Sequence, residues 1–206
     1  MATSKAKKPY HLIRITNELF HDLLTWKMFI ENFNGTSFIL DENWLTNFDI
    51  QLFSDSAGKG IGKGCGCYFK GKWAFLQWPK EWHDTNILLD ITFLETIPIA
   101  LSIFLWYNFF EKKRIIFNID NLAVVYVLNT KSSNNLRVMN LVRYIVYWSM
   151  MGSFQIKAFH ISSVNNCIAD ALSRGQFQKF KKLAPEAAEF PTIVPREFWI
   201  LLSMSL

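Results

Sequence analysis

Cysteine is scarce. The 206 residues contain three, Cys65, Cys67 and Cys167. An odd number cannot all pair internally, and Cys65-Gly66-Cys67 has no second Cys pair with which to hold zinc. A disulfide scaffold is excluded, and a reducing compartment is expected. A large excess of one charge is also missing: 22 Lys+Arg against 17 Asp+Glu leaves +5, too mild a balance to argue by itself for a nucleic-acid partner. The basic N-terminus, with Lys5, Lys7 and Lys8, leads into no apolar run, so no secretory signal is read there. The expected location is intracellular, cytoplasmic or nuclear. The greasiest stretch, residues 96–110, is shorter than the roughly 18–20 residues of a spanning helix and is bounded by Glu95 and Glu111-Lys112-Lys113-Arg114. It reads as a buried core helix, and no membrane partner is expected.

What is present is apolar mass. Half of the chain is hydrophobic and 16% is aromatic, which excludes a disordered protein and allows a large core. At about 100–200 residues per domain, one full domain with appendages is expected. These are a tail and helix over 1–46, the main domain over 47–178, and a proline-marked linker over 179–206. In the first segment Leu19, Leu23, Trp26, Ile30 and Phe33 make one helical face, and Asn34-Gly35 is a plausible stop.

The texture then changes to a strand period. Phe48, Ile50 and Leu52 alternate with Asp49 and Gln51; Cys67 to Phe69 and residues 73–78 follow, joined by Lys70-Gly71-Lys72. Downstream come a helix over 91–110, a short apolar strand over 115–119, helices over 121–128 and 134–151, a strand through Phe154, Ile156 and Ala158, and a helix over 165–174. The order βββ-α-β-α-α-β-α predicts an α/β fold. Its five-stranded mixed sheet would combine a three-strand meander with two parallel strands, flanked by helices.

Four acids stand out by placement: Asp55 at a strand end before a glycine-rich turn, Glu95 early in the apolar helix, Asp120 after a strand, and Asp170 in the last helix. Carboxylates gathered at one sheet edge repel unless cations neutralise them. Magnesium, a hard ion that keeps waters and substrate phosphates as ligands, suits such a site, and two ions about 3.5–4 Å apart can cleave a phosphodiester. A single Asp at a strand end is more often a turn or cap residue, the reading given to Asp49, Asp84 and Asp90. Asp170 has its own alternative, an i,i+4 pair with Arg174. Glu95 is harder to set aside, because an unpartnered carboxylate in an apolar run costs several kcal/mol.

Ser54-Asp55-Ser56-Ala57-Gly58-Lys59-Gly60-Ile61-Gly62 resembles the first motif of ribonuclease H domains. Leu94-Glu95 through Ala100 with Trp106 resembles the second, and Asp120-Asn121 through Val125 the third. His160 through Ala169-Asp170-Ala171-Leu172-Ser173-Arg174 is similar to the fourth as found in retroelement reverse transcriptases. Trp78-Pro79, Pro98, and Phe180 with Leu183 through Ala187 resemble the DIRS type, which carries a tyrosine recombinase; the helix ending at Asn34-Gly35 resembles the segment joining polymerase thumb to ribonuclease H. The resemblance spans about residues 12–190. It implies the ribonuclease H-like fold and magnesium-dependent hydrolysis of the RNA strand of an RNA–DNA hybrid. It places Asp55, Glu95, Asp120 and Asp170 on the metal-binding and catalytic acids, with two Mg2+ ions that Mn2+ could replace and no small-molecule cofactor. The turn at Gly62-Lys63-Gly64-Cys65-Gly66 is longer than the family's and could shift the register. No Asp-Asp pair occurs, so the polymerase site is absent. The chain is expected to be a piece of a larger element or a gene derived from one, with a missing polymerase domain as a possible partner.

Lys59, Lys63, Asn121, Arg137, Arg143 and Arg174 are the candidates for nucleic-acid binding. Each basic residue could equally be a solvated surface charge, and Asn121 a turn residue. His160, ten positions before Asp170, is either a proton shuttle or a strand-end residue. A catalytically inactive nucleic-acid-binding remnant is the competing function. A recombinase or exonuclease on the same fold is a third, disfavoured by the acid order Asp, Glu, Asp, Asp.

Overall fold

In the computed structural model, residues 12, 14–33, 35, 43–60 and 62–205 are described; the basic tail 1–9 and Asn34 of the expected helix stop lie outside them. Helix α1 (Asn17–Asn32) starts where Thr16 accepts a hydrogen bond from Leu19 N. None of its residues is buried. It is held to a later helix, α5 (Leu136–Met151), through Arg143, whose guanidinium pairs with Glu18 at 3.0 Å and Asp22 at 2.9 Å. The apolar face of this helix stays largely open: Trp26 and Ile30 are exposed.

Strand β1 is only Trp44–Leu45, followed by helical turn α2 (Asn47–Ile50). This corrects the expected strand across 47–52. The Asp49 carboxylate accepts from Thr46 N and Oγ1, while Thr46 O accepts from Asp49 N and Ile50 N. That reciprocal capping closes a turn in place of an extended chain. Gln51, at φ 44°, then redirects the backbone into β2 (Leu52–Ser56).

Strands β2, β3 (Gly64–Phe69) and β4 (Lys72–Gln77) form the expected antiparallel meander, with Asp55 opposite Gly66. Every residue of β3 is buried, because helices cover both faces. Cys65, Cys67 and Phe69 join the core with α3 (Ile91–Phe110), and Tyr68 joins a second cluster with Leu172 and Phe180. All three cysteines are free thiols. Two 3-10 turns, Lys80–Asp84 and Ile87–Leu89, lead into α3, where Asp90 is the N-cap, accepting from Phe93 N. At 20 residues α3 is long and apolar enough to cross a membrane, and 67% of its apolar window is buried within the protein. Phe69 stacks on Trp106 of α3, and Trp78 stacks on Trp82, whose ring packs in turn against Phe93 of α3, tying the meander to that helix.

Strand β5 (Arg114–Ile119) lies between β1 and β6 (Gln155–His160), all three parallel. Helix α4 (Leu122–Thr130) and α5 form the crossover from β5 to β6. The architecture is thus mixed α/β, but the strands among the described residues form two three-stranded sheets and not one of five. β2 lies beside β5 without a ladder joining them, and β1 takes the edge of β5 at Arg114 and Ile115.

The C-terminal segment also differs from the expected linker. After α6 (Cys167–Ser173), α7 (Phe177–Leu183) buries Phe180. The chain next runs along the meander: Ala188 N donates to Gly71 O and Thr192 N to Trp73 O, both at 2.7 Å. Helix α8 (Arg196–Ser203) inserts Phe198, Leu201 and Leu202 into the main core. Prolines at 185, 191 and 195 shorten the apolar runs and hide this packing from a periodicity search. Truncating a buried aromatic costs about 3–5 kcal/mol. Phe198→Ala is expected to lower stability by that amount in urea unfolding; an unchanged midpoint would show that α8 is not part of the core.

Candidate metal and catalytic site

Asp55 is the fourth residue of β2 and is 6% exposed. Its partner across the ladder, Gly66, has no side chain, which lets α6 lie directly on β3: a Cβ there would stand 2.3 Å from Leu172 Cβ. This close approach brings Ser173 of α6 to donate its hydroxyl to Asp55 Oδ2. The turn after β2 is pinned by Trp78, whose indole donates to Ala57 O at 2.6 Å. Across the glycine-rich turn, Ser56 stands opposite Cys65 at the hairpin mouth.

Glu95 sits in the second turn of α3, where Leu94 and Thr96 beside it are buried. Ser56 of β2 lies close by, and its side chain and backbone act to lower the Glu95 pKa. Asp120 follows the last residue of β5. One carboxylate oxygen from each of Asp55, Glu95 and Asp120 lies within 4.8 Å of the other two. Three segments far apart in sequence thereby converge.

The electrostatics follow from burial and like charge. The Asp55 carboxyl is pushed up to about 7, first by desolvation and then by the charges of Asp120 and Asp170, against the lowering effect of the Ser173 hydrogen bond and of Arg174. Desolvation likewise drives Glu95 up to about 9, helped by Asp55 and Asp120 and opposed by Ser56. The buried Cys65 thiol, close enough to feel both acids, is pushed well above its ordinary value, first by burial. Such a group relieves its repulsion by holding protons or by binding a hard cation. The donors present, three carboxylates with no neutral nitrogen among them, suit Mg2+ or Mn2+.

Asp170 lies outside this group of three. It pairs with Arg174 Nε at 2.6 Å and Lys179 Nζ at 3.9 Å, so the i,i+4 pair is present, although Asp55 still feels its charge. His160 is exposed at the end of β6, in register with Ile119, the residue before Asp120.

The basic candidates separate. Lys59 and Lys63 occupy the turn after Asp55, with Lys63 Nζ donating to Lys59 O at 3.4 Å, and Arg174 is exposed beside Asp170. Arg143 is 9% exposed and committed to α1. This corrects the reading of Arg143 as a nucleic-acid contact: its guanidinium serves helix docking. Arg137 pairs with Asp90 at 3.7 Å and donates to Asn86, joining the starts of α5 and α3. Asn121 caps α4, its Oδ1 accepting from Ala123 N and Val124 N, so the turn role of Asn121 is the one observed.

Sequence reading overlooked Ser56, Ser173 and Lys179. Ser173 had a signal, since it stands three residues after Asp170 and so shares its helix face; no spacing pointed to Lys179. Comparison with family models, with curated proteins and with solved structures finds no match.

The raised acids set a pH dependence. Folded, Asp55 and Glu95 hold protons that the unfolded chain releases near the usual carboxylate range. The metal-free protein therefore loses stability as pH rises through about 7 for Asp55 and about 9 for Glu95. The melting temperature in EDTA is expected to fall between pH 5 and pH 9, and Mg2+ is expected to restore more of it at the alkaline end. A metal-free melting temperature that rises over this range would contradict the assignment.

Proposed function

We propose that this chain is a retroelement-derived, ribonuclease H-like endonuclease that hydrolyses the RNA strand of RNA–DNA hybrids with magnesium. The observation that carries this reading is the convergence of Asp55, Glu95 and Asp120 within 4.8 Å at the ends of β2 and β5 and the start of α3. The three motifs that resemble ribonuclease H are the ones that supply these acids, and the fourth supplies Asp170 and Ser173. Bound magnesium would lower the pKa of an attacking water and stabilise the leaving oxygen.

The chain's own residues do the positioning. Buried Asp55 is the natural shared ligand, oriented by Ser173, and Glu95 stands close to Ser56. Lys59, Lys63 and Arg174 offer cations to the phosphates of the hybrid, and exposed His160, in register with the residue before Asp120, is the candidate proton shuttle. The pairing of Asp170 with Arg174 and Lys179 is also what an inactive nucleic-acid-binding remnant would carry, and turnover separates the two.

Labelled RNA–DNA hybrid, duplex DNA and single-stranded RNA, each with and without magnesium, form the test. Cleavage of hybrid alone and only with magnesium is expected. Asp55→Asn and Asp120→Asn should abolish it while leaving the fold intact or more stable, since each removes like-charge repulsion. Near-normal rates in either variant would sink the hydrolase reading. His160→Ala should slow turnover about 10- to 100-fold, in the low range of general acid–base help, with little change in hybrid affinity; unchanged turnover across pH would leave His160 a strand-end residue.

A further inference from the structure

We infer that Arg174 and Lys179 form a latch that holds Asp170 away from the other three acids until a nucleic-acid phosphate takes its place. The inference rests on the hydrolase reading and goes beyond it by assigning an order of assembly: hybrid first, complete metal site second.

The geometry is one-sided. Asp55, Glu95 and Asp120 lie within one ion's reach of one another, and Asp170 does not join them. Both of its carboxylate oxygens face cations: Oδ1 accepts from Arg174 Nε at 2.6 Å, and Oδ2 lies 3.9 Å from Lys179 Nζ in a looser ion pair. It is nevertheless close enough to raise Asp55 electrostatically, and Arg174 close enough to lower it. Asp170 and Ser173 lie one helical turn apart on α6, and Ser173 bonds Asp55 directly. The carboxylate that would complete the site therefore sits beside it, engaged by cations.

Those cations are accessible. The side chains of Arg174 and Lys179 are 49% and 53% exposed, against 31% for Asp170. An ion pair this open to water contributes little net stability, so exchange of one anionic partner for another is easy. A phosphate offers the guanidinium the same planar, two-oxygen recognition as a carboxylate. When a hybrid phosphate engages Arg174, with Lys179 as a second point charge, Asp170 is released with its charge uncompensated. The cation-binding group next to it is then the nearest partner. The three carboxylates now grouped would hold one ion in the free protein, and the fourth would complete the ligand set for a second when substrate is present.

Metal binding without turnover tests this. Mn2+ is titrated into the full chain without nucleic acid, with the free ion followed by its paramagnetic resonance signal. Wild type is expected to bind one ion per chain. Arg174→Gln, which frees Asp170, should bind a second ion or hold Mn2+ about 5- to 10-fold tighter, and Asp170→Asn added to that variant should remove the gain. Lys179→Gln, an exposed change on the neighbouring helix α7, should move binding the same way by less. Non-cleaved hybrid with DNA in place of the scissile ribonucleotide should raise wild type to the Arg174→Gln level. The salt dependence of hybrid binding should drop by about one counterion in Arg174→Gln. Metal stoichiometry and affinity unchanged in both Arg174→Gln and Lys179→Gln would overturn the latch while leaving the hydrolase reading standing. No bound ion in wild type, even with hybrid, would overturn both.

Discussion

Three carboxylates crowded at the junction of two sheets impose the constraint around which the surrounding structure is organised. Asp55 is buried, Glu95 projects from an apolar helix, and Asp120 follows a strand that lies beside the strand of Asp55. Lost hydration opposes this arrangement, and mutual repulsion adds to it as the acids ionise with rising pH, so the elements that bear the acids must be held by forces unrelated to the acids themselves. The core supplies them. β3 is buried on both faces, α3 stacks its Trp106 on Phe69, and Trp78 ties the end of β4 to the turn after Asp55. Burial of this apolar surface, at about 25 cal/mol per Å2, offsets the electrostatic strain concentrated at the cluster.

The same packing decides which polar groups are free to act. Leu172 on the bare backbone of Gly66 sets the depth of α6, and that depth delivers Ser173 to Asp55. Side chains that look alike in sequence divide by location. Arg143 is consumed in anchoring α1 and Arg137 in joining two helix starts, whereas Arg174 and Lys179 remain at the surface beside Asp170. In the proposed hydrolase this division separates cations that build the scaffold from cations that can meet a phosphate backbone.

α1 and the C-terminal segment show two ways of joining a core. α8 buries Phe198, Leu201 and Leu202, and the strap before it borrows hydrogen bonds from Gly71 and Trp73. α1 buries no residue and is retained by ion pairs to Arg143, with apolar side chains left in solvent.

Much was legible in the sequence because it depends on local periodicity and on residue type. The short apolar runs of the meander around the Lys70-Gly71-Lys72 turn, the apolar helix of residues 91–110 and the odd position of Glu95 in a greasy segment all follow from side-chain type and spacing. The candidate acids were legible for the same reason, as charges where charge is costly. Tertiary structure alone decided the rest. The strand pairing of Trp44–Leu45 with β5 needs a partner 70 positions away (Trp44 opposite Arg114), and two residues are too few for a period. Thr46 and Asp49 closed a helical turn where alternation indicated a strand, because a capping bond outcompeted a weak pattern. That three acids meet while Asp170 stays with Arg174 is a matter of distances between elements that no spacing along the chain contains.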